Sequence, residues 1–244
     1  MNGDEITTAA ERELGELTRD LATTSLAMAR RFRAGATLWC VSPTWPHHAR
    51  HVAVEFVHPV IVGKPALPAL IGPAEEPIAG LRASMTRGDL VLAIGDGHDV
   101  VTADLMRRAH AWGVETIWIG AGPRPPAGAA DHVLWLDDAP GTAAVDGRFI
   151  LLYHLLWELT HVCLEHRGRL REPAPVCEGE VCITCSDDGQ LAEVVSVRDG
   201  EAQVRTAEGP RIVDITLVDR AATNDLVLVH AGSAIARVSH EVPA

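Results

Sequence analysis

The sequence predicts two modules of different class: an α/β domain built on a parallel sheet and, behind it, a small all-β barrel. Three observations carry this. Leu90–Ile94, Val100–Trp112 and Glu115–Ile119 read as strand, helix and strand, a crossover that implies parallel strands covered by helices. Arg167–Glu180 is rich in Arg, Glu, Gly and Pro, and Pro173 and Pro175 stop any helix that enters it. Beyond Val181 the periodicity changes to short alternating segments separated by Asp-Gly and Gly-Pro turns. The domains are therefore set at residues 1–172, a linker at 173–180 and a barrel at 181–240.

In chain order, Glu5–Phe32 has helical periodicity, with Ile6, Leu14, Leu17, Leu21 and Met28 recurring near one face among charged residues. Ala36–Val41 reads as a buried strand, Ser42–His48 as a Pro- and His-rich turn, and Ala49–Val57 as a helix. Pro65–Gly72 is a short apolar piece and Ile78–Ala83 a short helix. After the crossover, with its turn at Gly95–Asp99 and a helix stop at Gly113, His132–Leu136 supplies another strand and Val145–Glu165 a long helix. Strands alternating with helices define the α/β class. In the second module the strands fall at Leu191–Val197, Glu201–Thr206, Arg211–Leu217 and Asp225–Val229. Their turns fall at Asp199-Gly200 and Gly209-Pro210. Val181–Cys185 opens this module and Val227–Ile235 closes it as the last strand.

Composition bounds the function. A formal net charge of −12 disfavours nucleic-acid binding, which rests on Lys and Arg. The longest apolar run, Phe149–Leu159, is interrupted by His154 and Glu158 and is too short to span a bilayer. Met1–Thr24 is a polar helix pattern, not a leader. Cys40, Cys163, Cys177, Cys182 and Cys185 are odd in number, which fits free thiols in a reducing cytoplasm.

The first module resembles the sugar isomerase (SIS) domain in its phosphoheptose-isomerase branch. The likeness rests on Ala49–Phe56 with Gly63–Leu70, on Gly88–Ile94 and on Tyr153–Leu159, in that order. It implies a three-layer, flavodoxin-like parallel sheet and a phosphosugar site made by two loops of small, hydroxyl-bearing residues. Both loops depart from that pattern. The first reads Ser42-Pro43-Thr44-Trp45-Pro46, in which two prolines lack N–H donors and tryptophan fills sugar space. The second, a degenerate phosphate loop, reads Gly95-Asp96-Gly97-His98-Asp99. Asp96 or Asp99 can serve there as a built-in anion and cap at the helix N-terminus. Two carboxylates beside a phosphate argue against ordinary isomerisation.

A metal site is nonetheless expected. His51 and Glu55 lie four apart on one helix face, and Asp146 and His154 eight apart on the long helix. The family builds a zinc site from a His-x-x-x-Glu helix plus a Gln and a His on the last helix. The resemblance thus implies His51, Glu55 and His154 as ligands, with Asp146 where the family has glutamine. Two histidines with carboxylates suit zinc or iron, and His47 and His48 lie nearby. The alternative is a set of ordinary His–Glu contacts. His154, Glu158, His161 and Glu165 are spaced as a solvated or inter-subunit face, and Leu151, Leu152, Leu155, Leu156, Leu159 and Val162 form a stripe beside them. A homodimer is expected.

The second module resembles the HypC/HupF family of [NiFe]-hydrogenase maturation chaperones, on Val181–Cys185, Val213–Val218 and Asp225–Gly232. The resemblance implies an OB-like barrel and a cysteine, here Cys182, whose thiolate contacts a transient iron centre. It also implies docking on a maturation scaffold protein and on the hydrogenase large-subunit precursor. His230 matches the family's last-strand histidine, as a ligand or as a packing residue. Cys182 is internal here, so the free α-amino group usual beside that thiol is absent. Cys182-x-x-Cys185 with Cys177 also admits a structural zinc site, completed by Cys163 or His166, or a redox pair. The expected function is hydrogenase maturation on a degenerate SIS dimerisation and docking domain. A metal-dependent phosphosugar isomerase and a small-molecule sensor that gates the barrel are the alternatives. No membrane or nucleic-acid partner is expected.

Overall fold

A strand-helix alternation with Gly at the turns folds into a parallel sheet sandwiched by helices, and the computed structural model of the chain has this form. It describes residues 3–73, 75–136, 147–166, 170 and 189–238. The first module runs α1 (Gly3–Arg33), β1 (Leu38–Val41), α2 (Pro46–Val57), β2 (Ala69–Ile71), α3 (Pro77–Ser84), β3 (Leu90–Ile94), α4 (Val100–Ala111), β4 (Glu115–Ala121), β5 (His132–Leu136) and α5 (Arg148–Glu165). The strands are all parallel in the order β2-β1-β3-β4-β5, the flavodoxin-like order. The chain leaves β1 toward one edge for β2 and then crosses to the other side for β3. The carboxyl ends of β1 and β3 therefore frame the crevice where such folds bind ligands.

Alternation along the fully buried β3 explains the layers. Leu90, Leu92 and Ile94 join a core with Met28 and Phe32 of α1, Val52 and Phe56 of α2, and Phe149 and Leu156 of α5. Val91 and Ala93 face the opposite core, with Leu81 of α3, Leu105 and Met106 of α4, and Trp112. A strand covered on both faces reads as a continuous apolar run, as Leu-Val-Leu-Ala-Ile does.

Boundaries moved where local chemistry decides them. α2 starts at Pro46, so His47 and His48 are helical and not part of a turn. Proline at a first helical position loses no hydrogen bond. α5 starts at Arg148 behind Gly147, whose φ of 84° breaks the helical run. Val145 and Asp146, expected in that helix, lie outside the described residues. The polar face of α5 is only partly solvated. His161 is buried, its Nδ1 2.9 Å from the Trp157 carbonyl and its Nε2 3.0 Å from that of Pro65.

The second module comprises β6 (Gln190–Arg198), β7 (Glu201–Thr206), β8 (Gly209–Asp214), β9 (Leu226–His230) and β10 (Ser233–Val238), closed in the order β10-β8-β7-β6-β9. Val194, Val204, Val213, Val227, Val229 and Ala234 fill its interior. The hairpins turn at Asp199-Gly200 and Ala231-Gly232, where all four residues have positive φ, the backbone of a type I′ turn. Ala231-Gly232 divides the single last strand expected at 227–235 into β9 and β10. The turn expected at Gly209-Pro210 falls two residues earlier, at Ala207-Glu208, where the Thr206 hydroxyl accepts from the Glu208 N–H and donates to the Gly209 carbonyl. β8 ends at Asp214 because its carboxylate accepts from the Thr216 N–H and hydroxyl, which bends the chain. The described strands of the closed barrel begin at Gln190, whereas the expected opening at Val181–Cys185 and the linker at 173–180 lie outside the described residues.

The barrel is seated on the helices. Leu226 belongs to the α3–α4 core, and Leu191 and Val238 pack against it. No helix among the described residues is long and apolar enough to cross a membrane.

Candidate functional site

The i,i+4 spacing on α2 puts His51 and Glu55 on one side of the helix, and α5 crosses it to bring His154 to the same point. His51 Nε2 lies 3.3 Å from Glu55 Oε1 and 3.3 Å from His154 Nε2, and His154 Nε2 lies 3.5 Å from Glu55 Oε1. Tetrahedral zinc with bonds of about 2.0–2.2 Å to nitrogen and oxygen separates its ligand atoms by about 3.3–3.5 Å. The separations of the two imidazoles and the carboxylate match one face of such a site. Among the described residues they are the group of His, Cys, Asp and Glu side chains close enough together to hold a metal ion. The side chains are 37%, 18% and 44% exposed, so the face opens to solvent. Asp146, the fourth expected ligand, lies outside the described residues.

A layer of aromatic side chains supports this face from behind. Tyr153 is buried, with its hydroxyl 2.8 Å from His51 Nδ1 and 3.4 Å from His48 Nδ1. Burial, and secondarily the negative charge of Glu55, push the phenol's pKa up, so it stays neutral. His48 is buried against Phe149 and Tyr153, with the His47 ring beside it. His48 belongs to this supporting layer and not to the ligand face.

The crevice at the ends of β1 and β3 is filled by its own side chains. The Ser42 hydroxyl, buried, donates to the Ile94 carbonyl at 2.7 Å. The Trp45 ring sits 5.6 Å from that of Phe149. Asp99 is the N-cap of α4: Oδ1 accepts from the Val101 and Thr102 N–H groups and Oδ2 from the Thr102 hydroxyl, with the Thr44 hydroxyl at 3.5 Å. Asp96 accepts from the His98 N–H. The helix N-terminus that would hold a phosphate thus already holds a carboxylate. Gly97 is pressed so close to the neighbouring loop that an added Cβ would lie 1.9 Å from the Pro123 carbonyl oxygen. The cavity beside the first loop, bounded by Ser42, Pro43 and Arg50, holds about 60 Å³. Ligand pockets run to roughly 300–1,000 Å³.

The junction between the modules carries residues that sequence reasoning missed. Glu193 of β6 is 2% exposed, yet its carboxylate points away from the barrel. Its Oε1 accepts from Arg82 at 2.6 Å and Arg108 at 2.8 Å, and its Oε2 from the Trp112 indole at 2.9 Å. Arg108 also donates to Asp104 and the Asn224 carbonyl, and Arg82 to the Asn224 side chain. In the sequence Glu193 is merely one polar position of an alternating strand, and nothing local marks it. A cleft of about 520 Å³ lies between the Ala207-Glu208 turn and Arg31, His110, Glu115 and Asp131, and one of about 390 Å³ lies between Arg205, Thr206 and Pro210 of the barrel and Arg82, Met85 and Trp112.

Of the residues expected in the barrel site, Cys182, Cys177 and Cys185 lie outside the described residues. His230 is half-buried at the end of β9, opposite Ser233. Cys40 is wholly buried in the sheet, and burial pushes its thiol pKa up, leaving it an apolar core residue.

Residues 190–243 match the HupF/HypC family, a stretch that begins downstream of Cys182 and Cys185. The N-terminal part is similar in fold to a phosphoheptose isomerase from Francisella tularensis, at 16% identity and a TM-score of 0.52, over 66% of this chain and 100% of that one. It is likewise similar to phosphoheptose isomerase GmhA from Neisseria gonorrhoeae, at 16% identity and a TM-score of 0.50, over 67% of this chain and 94% of that one. At such identity the likeness is one of fold. No curated protein matches the chain in sequence.

Proposed function

We propose that this chain, a HupF/HypC-like barrel seated on an SIS-like domain, is a [NiFe]-hydrogenase maturation factor. The family match over residues 190–243, which falls on a closed five-strand barrel, is the observation that carries the reading. The barrel is the chaperone, and its cargo is the iron centre destined for the hydrogenase large-subunit precursor. Cys182 supplies the thiolate for that iron, since a soft anionic sulfur suits a low-valent metal. His230, half-buried at the end of β9, is the second residue proposed to serve that iron. The filled crevice between β1 and β3 supports a degenerate, non-catalytic role for the SIS-like domain as a docking platform.

The SIS-like domain holds its own zinc or iron through His51, Glu55 and His154, whose spacing supports a tetrahedral site. When bound, such an ion supplies a Lewis-acidic centre. The residues themselves orient the ligand atoms and hold α2 against α5. Leu151 and Leu155 of α5, 60% and 41% exposed, are proposed to pack against a second copy of the chain. A mass measurement in solution that finds only monomer rules that contact out.

The decisive experiment is genetic complementation in the native host. Cys182→Ala is expected to abolish large-subunit processing and hydrogenase activity while the protein still accumulates. Wild-type maturation by that variant overturns the chaperone reading. The metal triad favours one rival, a metal-dependent phosphosugar isomerase. Turnover of sedoheptulose 7-phosphate by the purified wild-type protein, lost in His154→Ala, establishes that rival instead.

A further inference from the structure

We infer that Tyr153 is a positioning residue for the metal site, its hydroxyl fixing the tautomer and ring orientation of His51. The inference rests on the reading of His51, Glu55 and His154 as metal ligands. It concerns a residue that lies beside the ligand face and not on it.

The argument starts from proton inventory. A neutral imidazole carries one N–H and one lone pair, and only the lone pair can ligate a metal. His51 Nε2 faces the triad, 3.3 Å from both Glu55 Oε1 and His154 Nε2. Ligation there requires the proton to reside on Nδ1, and that atom lies 2.8 Å from the Tyr153 hydroxyl. The hydroxyl is both acceptor and donor. It accepts from His51 Nδ1–H and has a second nitrogen, His48 Nδ1 at 3.4 Å, toward which to send its own proton. Metal-ligating histidines generally donate their other N–H to an acceptor, and that acceptor tunes orientation and affinity.

Packing holds the acceptor in place. Tyr153 is 1% exposed, and its ring meets those of His51, His48 and His154 edge-on at centroid distances of 5.2, 5.9 and 5.4 Å. It is the single tyrosine of the chain. One turn earlier, Phe149 fills the same helix interface with no hydroxyl. Packing alone therefore asks only for a ring at position 153, and the hydroxyl serves His51.

The test is zinc titration of the full-length protein against a chromogenic chelator, for wild type, Tyr153→Phe and His154→Ala. Tyr153→Phe keeps the ring, so its melting temperature should stay near wild type. Its zinc affinity should fall about 10–100-fold, as for other lost outer-shell partners. Its cobalt(II)-substituted visible spectrum should shift relative to wild type. Unchanged zinc affinity in Tyr153→Phe, with binding lost in His154→Ala, overturns the inference and leaves the metal site standing. Zinc binding that is absent in wild type, or unaffected in His154→Ala, overturns both. Should Tyr153→Phe not fold, nitrogen-15 NMR of zinc-loaded wild type decides. A protonated Nδ1 on His51 sustains the inference, and a protonated Nε2 overturns it.

Discussion

Glu193→Ala removes the one carboxylate on which Arg82, Arg108 and the Trp112 indole converge between the modules. The side chain of Glu193 is 2% exposed and that of Arg108 6%, so water does not readily replace the lost carboxylate beside Arg108. Removing one partner of a buried ion pair costs about 3–5 kcal/mol, because a charge is left uncompensated. Arg108 keeps Asp104 at 2.8 Å and the Asn224 carbonyl at 2.7 Å, and Arg82 keeps the Asn224 side chain at 3.0 Å. These residual contacts place the expected loss near the lower end, about 3 kcal/mol, or roughly 6–12 °C in melting temperature for a chain of this size. Differential scanning calorimetry with amide hydrogen exchange is the assay. Faster exchange should concentrate in β6 and in α4, the two elements the carboxylate joins. Arg82→Ala, on a 22% exposed side chain, should cost less. A Glu193→Ala protein that melts within 2 °C of wild type, with β6 equally protected, refutes the idea that this cluster seats the barrel (threshold of about 2 °C, roughly 1 kcal/mol or less).

Asp99→Ala removes the N-cap of α4 and should destabilise by about 1–2 kcal/mol in urea titration, with an unchanged midpoint counting against the capping role. Gly97→Ala drives a Cβ to 1.9 Å from the Pro123 carbonyl oxygen, a backbone atom that cannot swing aside. It should cost more than the loss of the cap, and an unshifted thermal midpoint contradicts the close packing of those loops. Stability should also depend on pH through the start of β4 and its neighbours. The hydrogen bond from His132, and then Arg31, hold the Glu115 carboxyl pKa below its ordinary value despite burial. That stability is present above the unfolded carboxylate pKa of about 4.3 and is lost as pH falls through the lowered value. The hydrogen bond to Asp131 raises the pKa of His110. Its contribution is fully present below about pH 6.5 and lost as pH rises through the raised value. Urea midpoints measured across pH should show a shallower acid-side slope in Glu115→Gln and a shallower alkaline-side slope in His110→Asn, and unaltered profiles contradict these pairings.

Much of the architecture was legible in residues near one another in the chain. The crossover from Leu90 to Ile119 followed from an apolar run, a turn and a helical period, and the structure repeats it with small shifts at the ends. Asp199-Gly200 announced its turn because few residues tolerate positive φ at both central positions. The sequence offers Asp96 or Asp99 as the cap of the following helix, and the structure gives that role to Asp99. Distant contacts decide what local spacing leaves open. The spacing of His161 predicts a solvated or inter-subunit position, but the Pro65 carbonyl and the neighbouring core bury it.

The sequence alone determined the class of each module, the strand-helix-strand crossover of the first and the pair His51 and Glu55, since i,i+4 spacing is a property of any helix. Only the tertiary structure decided that His154 completes their triangle to within hydrogen-bonding distances, because α2 and α5 meet through residues a hundred positions apart. It alone showed that Tyr153 backs His51 and that the barrel is seated on α4 through Glu193. Periodicity records which face of an element is apolar, and it carries no record of which other element covers that face. A buried carboxylate such as Glu193 therefore looks in the sequence like any exposed one, until packing supplies the arginines that let it be buried.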